Sequence, residues 1–134
     1  MMASILKVDT LTGVTTAGSI SVTGEGNSTT TNLQQGLAKC WVNMDAGQTV
    51  NDSLNTASLT DNATGDHTAN WTNALANATY AVATHCRTTT TYMQISTPEG
   101  PFTTTTVTIN THQSNSTTKG DKTENGIMVQ GDLA

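Results

Sequence analysis

The sequence is short of the residues on which several protein classes depend. Its 134 residues include only five Lys and Arg, two Pro and two Cys, and the net charge is -5. So few cations argue against a nucleic-acid binder, because neutralising phosphates requires a basic face. No apolar run approaches the length of a membrane span, so we expect no membrane insertion. The first residues lack the basic start and the long apolar stretch of a signal peptide, which predicts synthesis in a cytoplasm.

The two cysteines are expected to be reduced thiols in that compartment. Cys40 and Cys86 each lie on the apolar side of an alternating segment, where a free Cys behaves as a small hydrophobic residue. A disulfide between them is the alternative. None of the Cys and His residues has a partner at metal-binding spacing on the same face, so the sequence predicts neither a metal site nor a cofactor.

Aromatic residues are also scarce, at 4% of the chain, and hydrophobic residues reach 34%. Thr is instead the commonest residue, at roughly a fifth of the chain, and its β-branched side chain favours strands over helices. These values predict a mostly β protein with a thin core. Part of its stability should come from a partner subunit, as is common for small β modules.

From residue 37 onward, apolar and polar residues alternate with the period of a β-strand. A polar turn at residues 61–66 joins two strands, and Gly65 can supply the positive φ that the reversal requires. A third strand at residues 80–86 is expected to complete one half-buried antiparallel sheet. The alternation predicts that Cys40, Val42 and Met44 share one inward face, and that Trp41 points to the opposite face. On the strand after the turn, His67, Ala69 and Trp71 are expected to share a face.

The remaining strands are bounded by breakers. The strand at residues 88–95 is expected to end at the Pro-rich stretch 98–101, and residues 112–125 read as a polar loop before a last strand at 126–130. The strand at 103–110 is expected to turn Thr103, Thr105, Val107 and Ile109 to one face. Eight or so strands at short spacing predict an all-β fold, an antiparallel β-sandwich or jelly-roll-like domain, over residues 37–134.

Residues 1–36 differ in character, since their apolar residues are short groups separated by Thr, Ser and Gly. Such a segment cannot build its own core, and the alternation at 19–23 predicts an extended arm that pairs with another chain. Residues 24–32 read as a linker, and residues 33–36 as a short turn of helix. The side chains expected to be buried at an interface are Ile5, Leu6, Val8, Leu11, Ile20 and Val22.

Three segments resemble small structural proteins of marine tailed bacteriophages. They read KCWVN at 39–43, DSLN at 52–55 and SLTDNATGDHTANW at 58–71, where the family has sequences close to KAWVNF, SFN and SITDNGTGDYTVNF. Ala76 and Tyr80 occupy the places of a recurring Ala and Tyr pair, and ASILKVDTL at 3–11 is similar to the family's MASTLKVDTI start. The chain departs from the pattern at Ala63, where Gly is usual, and at His67, where an aromatic residue is usual.

The resemblance covers most of residues 3–86 and implies a virion structural protein of tail-fibre or head-decoration type. It also implies a homotrimer that contacts capsid or tail proteins and is assembled in the host cytoplasm. In this hypothesis the arm attaches the protein to the particle, or entwines around a three-fold axis, and the sandwich projects outward.

A carbohydrate-binding module is the alternative, either as the receptor-binding tip of a virion or as an accessory to a secreted enzyme. Trp41 and Tyr92 are then the expected contacts with a glycan, since aromatic rings stack on sugars. The Thr runs at 88–91 and 103–106 read as solvated strand faces or subunit contacts, with a ligand-binding ladder as the other possibility. No nucleophile elbow and no placeable pair of carboxylates occurs, so we expect no enzymatic activity.

Overall fold

The chain divides into two compact units, residues 1–36 and residues 37–134. The computed structural model describes residues 6–14, 20–23, 30–88 and 94–132. Apart from one helical turn, the described elements are all strands, and every strand pairing is antiparallel. The predicted all-β fold is therefore confirmed. Within these ranges, no helix has the length and apolar character that crossing a bilayer would need.

The first unit contains a small hairpin and the expected helical turn. Strand β1 (Ser21–Thr23) pairs with β2 (Thr30–Asn32), and Val22 lies opposite Thr31. Helix α1 (Leu33–Gly36) follows directly. The sequence placed residues 30–32 in a linker and paired residues 19–23 with another chain, whereas β1 pairs within its own chain. A two-stranded hairpin is marginally stable alone in water, so this unit has little stability of its own.

The described residues of the second unit form eight strands in two four-stranded sheets. The first sheet has the order β4-β3-β10-β7 and the second sheet the order β5-β6-β9-β8. The predicted sandwich is confirmed. The strands are β3 (Cys40–Asp45), β4 (Val50–Leu54), β5 (Thr56–Ala63), β6 (Asp66–Trp71), β7 (Ala81–Arg87), β8 (Gln94–Glu99), β9 (Thr106–Gln113) and β10 (Glu124–Gln130).

The core lies between the inner faces of these sheets, as the alternation predicts. Side chains at every second position of β3, β6 and β9 are buried, because successive residues of a strand point to opposite faces. Full burial of one such aliphatic side chain contributes about 1.5–3 kcal/mol. The buried apolar residues are Cys40, Val42, Met44, Ala69, Trp71, Leu75, Tyr80, Val107, Ile109, Ile127 and Val129.

The central hairpin is tighter than predicted, and its third strand lies elsewhere. The turn consists of residues 64 and 65 alone, because Gly65 takes a φ of 68° and so closes a two-residue connection. The other residues expected in the turn belong to β5 or β6. Strand β7 joins the first sheet beside β10, and not the sheet of β5 and β6. The connection between β6 and β7 carries buried Leu75 and Tyr80, which belong to the core between the sheets.

In the last third of the chain, strand β8 ends at Glu99, within the predicted stretch 98–101, whereas strand β9 begins later than predicted. Strand β8 runs through Pro98, which is tolerated because β8 is the edge of its sheet. Strand β9 begins only at Thr106, since the Thr103 hydroxyl accepts hydrogen bonds from the backbone N–H groups of Thr105 (3.2 Å) and Thr106 (2.9 Å) and closes a local turn. Thr103 and Thr105 are accordingly exposed, and β9 continues to Gln113.

Candidate functional site

The apolar side chains of the arm lie largely uncovered by the rest of their unit. Leu6 is 80% exposed and Val14 is 93% exposed, and Val8, Leu11 and Val22 are each more than half exposed. Ile20 is half-buried, and its carbonyl accepts a hydrogen bond from the Leu33 N–H at 2.9 Å. Ile5 lies outside the described residues. Single exposed aliphatic residues are ordinary, but several in one short segment indicate a contact surface.

A second uncovered apolar surface crosses the outer face of the first sheet. Trp41 on β3 lies opposite Leu54 on β4 and opposite Met128 on β10, and Met128 lies opposite Ala83 on β7. Directly opposed residues in antiparallel strands have Cβ atoms about 5 Å apart, so these four side chains form a continuous row. We call Leu54, Trp41, Met128 and Ala83 the Trp41 row. Leu54 is 47% and Met128 41% exposed, while Trp41 is half-buried.

Polar residues beside the Trp41 row are held in place by a network of contacts. Asn43 Nδ2 donates a hydrogen bond to Glu124 Oε1 at 3.1 Å, and Arg87 pairs with the same carboxylate. The hydrogen bond from Asn43, followed by the pairing and charge of Arg87, lowers the pKa of Glu124. His85 lies over Gly126, where a Cβ would overlap the imidazole ring. The row is therefore bordered on one side by an ordered polar surface.

This arrangement suits contact with another molecule. An aromatic side chain among aliphatic neighbours, with polar groups at the border, is the usual composition of a protein–protein contact. An outward Trp beside amide, acid and imidazole groups also suits a sugar ring. The structure thus places Trp41 where the sequence predicted it, on the outer face. The other predicted glycan contact, Tyr92, lies outside the described residues.

The outer face of the second sheet is polar and hydrogen-bonded to itself. The hydroxyl groups of Thr68 and Thr108 lie 2.7 Å apart, and Asn62 Nδ2 donates to Thr68 Oγ1 at 2.8 Å. Lys119 Nζ donates to Asp66 Oδ2 at 3.0 Å and to Glu99 Oε2 at 2.9 Å. These are the contacts of a solvated strand face. Of the Thr run at 103–106, only Thr106 belongs to a strand.

The contacts of Lys119 with Asp66 and Glu99, which we call the Lys119 bridge, shift the pKa values of Asp66 and Lys119. Burial alone would raise the pKa of Asp66, but hydrogen bonds from Asn62 and Lys119 outweigh it, so the pKa is lowered. Hydrogen bonds to Glu99 and Asp66 raise the pKa of Lys119. The bridge is consequently stronger at neutral pH than in acid, where the carboxylates become protonated.

The cysteines and histidines are dispersed. Both Cys are free thiols, as predicted, and burial raises the pKa of each. His67 is fully buried, with its Nε2 3.8 Å from Asp121 Oδ1. In the part of the chain that the structure describes, no three His, Cys, Asp or Glu side chains are arranged to hold a metal ion.

No protein-family model, curated protein or solved structure matches this chain.

Sequence reasoning found Trp41 but missed the other members of its row. Met128 sits between inward Ile127 and Val129, and this alternation was a sufficient signal that its side chain points outward. The alignment of Leu54 and Ala83 with Trp41 depends on strand pairings between distant segments, for which the sequence holds no local signal.

Proposed function

We propose that this chain is a non-enzymatic structural protein of a bacteriophage virion, a short trimeric fibre or decoration protein that attaches to capsid or tail through residues 1–36. The observation that carries the proposal is the set of uncovered apolar side chains on the arm, with Leu6 at 80% and Val14 at 93% exposure. Exposed apolar groups in a segment without a core of its own gain free energy when another surface covers them, and a partner subunit or a capsid or tail protein would supply that surface.

The resemblance of residues 3–86 to small phage structural proteins supports the virion setting and the trimer. The sandwich supports a projecting role, because its eight described strands enclose a hydrophobic core of their own. The Trp41 row supplies a second contact. Covering a half-exposed Leu or Met contributes about 1 kcal/mol per side chain, so burial of this row would add to the free energy of assembly.

The test is the mass of the full chain in solution, measured by light scattering after gel filtration. We expect the wild type at three times the chain mass of 14.0 kDa. Ile20→Asp/Val22→Asp places two charges on the apolar side of β1 and should yield monomers. Ser21 and Thr23 are exposed on the same segment, so Ser21→Asp/Thr23→Asp adds equal charge and should remain trimeric.

Tryptophan fluorescence, to which buried Trp71 and half-buried Trp41 both contribute, shows through a cooperative denaturant transition whether the sandwich is folded in each variant. A wild type that runs as a monomer would remove the main support for the proposal. So would an Ile20→Asp/Val22→Asp variant that forms trimers as the wild type does.

A carbohydrate-binding module is the second candidate, and the observation that favours it is the outward Trp41 beside Asn43 and His85. A glycan array probed with wild type, Trp41→Ala and Leu54→Ala distinguishes carbohydrate binding from a purely structural role. Stacking on a sugar predicts a signal that Trp41→Ala abolishes and Leu54→Ala keeps. Equal signals from the wild type and Trp41→Ala would contradict this function.

A further inference from the structure

A second set of outward residues lies directly beside the Trp41 row on the first sheet. Asn43 on β3 and His85 on β7 both lie opposite Gly126 on β10. Because side chains alternate between the two faces, these three residues are the next outward positions after the row, about 7 Å along the strands. The His85 side chain is 59% exposed, and that of Glu124, the following outward position on β10, is 29% exposed. A molecule that covers Trp41 can therefore reach an imidazole and a carboxylate as well.

Gly126 determines where that imidazole lies. A Cβ at this position would overlap the ring, so the imidazole occupies the space above β10 that a side chain at residue 126 would fill. The ring leans inward from β7, which is the edge strand of the sheet, and its Nε2 lies 3.9 Å from Glu124 Oε1. An imidazole nitrogen can donate or accept a hydrogen bond. His85 thus presents a hydrogen-bonding group over the sheet itself and next to the apolar row.

The charges on this face favour a neutral partner over an acidic one. Strands β3, β4, β7 and β10 together carry three carboxylates and one guanidinium: Asp45, Asp52, Glu124 and Arg87. Arg87 already pairs with Glu124, so an acidic ligand would meet an excess of negative charge. A hydroxyl group, by contrast, can donate a hydrogen bond to a carboxylate oxygen without any charge of its own.

We propose that His85 and Glu124 form the hydrogen-bonding side of a site for a neutral saccharide whose apolar face stacks on Trp41. The inference rests on the carbohydrate-binding candidate described above and adds the residues that select its ligand. A pyranose ring combines an apolar face with hydroxyl groups around its rim. It therefore matches an indole that lies beside an imidazole and a carboxylate, and the excess of carboxylates excludes uronic acids.

The experiment is an NMR titration of the full chain at constant pH and ionic strength. The probes are neutral oligomers of glucose, mannose and galactose, each compared with the corresponding uronate oligomer. We expect at least one neutral oligomer to shift the His85 Cε1–H signal in a saturable way. The signal of His112, which lies on β9 of the other sheet, should stay in place. The uronate counterpart should bind more weakly by about fivefold or more.

Three variants test the role of His85 with that neutral oligomer. His85→Ala should weaken binding by about two- to tenfold, the effect of losing one hydrogen bond. Gly126→Ala should weaken it similarly, because the added methyl group takes the place of the imidazole, and His85→Ala/Gly126→Ala should lose no more than either single variant. His112→Ala removes an imidazole from the other sheet and should bind as the wild type does.

The possible failures are distinguishable. If none of the oligomers binds the wild type, both the carbohydrate-binding candidate and this inference are overturned. If Trp41→Ala abolishes binding while His85→Ala binds as tightly as the wild type, the candidate stands and the role of His85 is refuted. Uronate oligomers that bind as tightly as the neutral ones would refute the selection by charge. Should Gly126→Ala not fold, the affinity of His85→Ala and the wild-type His85 signal decide the matter.

Discussion

The turn between β5 and β6 depends on one glycine, and Gly65→Ala tests how closely the β9–β10 connection packs against it. Gly65 has a φ of 68°, which other L residues adopt at a cost of about 1–2 kcal/mol. A Cβ at this position would overlap the backbone nitrogen of Gly120 and lie 2.8 Å from the carbonyl oxygen of Thr111. Backbone atoms cannot rotate away, so relief requires the two segments to separate.

The separation would also stretch two hydrogen bonds. The Gly65 N–H donates to Asp121 Oδ1 at 2.6 Å, and the Gly65 carbonyl accepts the Thr111 N–H at 2.8 Å. Overpacking of this kind costs about 1–3 kcal/mol. Adding the conformational cost, we expect Gly65→Ala to lower the free energy of unfolding by about 2–5 kcal/mol. That is a large part of the about 5–15 kcal/mol that stabilises an ordinary domain.

Gly100 provides a matched control. Its φ is 71°, and a Cβ there would meet nothing within 4 Å. Gly100→Ala should therefore lose only the conformational part, about 1–2 kcal/mol. Guanidinium chloride unfolding followed by tryptophan fluorescence measures both variants. Equal losses for Gly65→Ala and Gly100→Ala would refute the packing of the connection on the turn.

Three further predictions concern the core, the thiols and acid stability. Met44 is fully buried and Met128 is 41% exposed. Denaturant unfolding should therefore show that Met44→Ala lowers the free energy of unfolding by about 2–5 kcal/mol and Met128→Ala by under about 1 kcal/mol. Similar losses for the two variants would contradict the assigned faces. Cys40 is buried, so Ellman's reagent should label it only after unfolding; rapid native labelling of both thiols would be inconsistent with that burial. The pKa of Asp66 lies below its ordinary 3.8, so its carboxylate stabilises the fold above that pH and loses this effect as pH falls through the native pKa. Asp66→Asn should be less stable than wild type at neutral pH and should approach it in acid, and a pH-independent difference in melting temperature would contradict the Lys119 bridge.

Local patterns predicted the faces of the strands. The alternation of Cys40, Val42 and Met44 and the inward position of Trp71 follow from the two-residue period of a strand, which needs no knowledge of the partner strands. The positive φ of Gly65 could likewise be expected from the polar turn around it.

Pairings between distant segments were not predictable in this way. Strand β10 lies between β3 and β7, and β7 leaves the hairpin that precedes it, because the connection through Leu75 and Tyr80 is itself part of the core. Pro98 reads as a breaker unless β8 is known to be an edge strand.

The candidate sites show the same limit. Trp41 could be placed on an outer face from its neighbours in sequence, but its row requires the register of four strands.

The proposed virion function is tested most directly by electron microscopy of virus particles purified from a culture that produces this chain, labelled with gold-conjugated serum raised against residues 37–134. The proposal predicts gold on the particles, spread over the heads for a decoration protein or clustered at the tail for a fibre. Particles that carry no gold, although the same serum recognises the purified chain, would contradict the virion function.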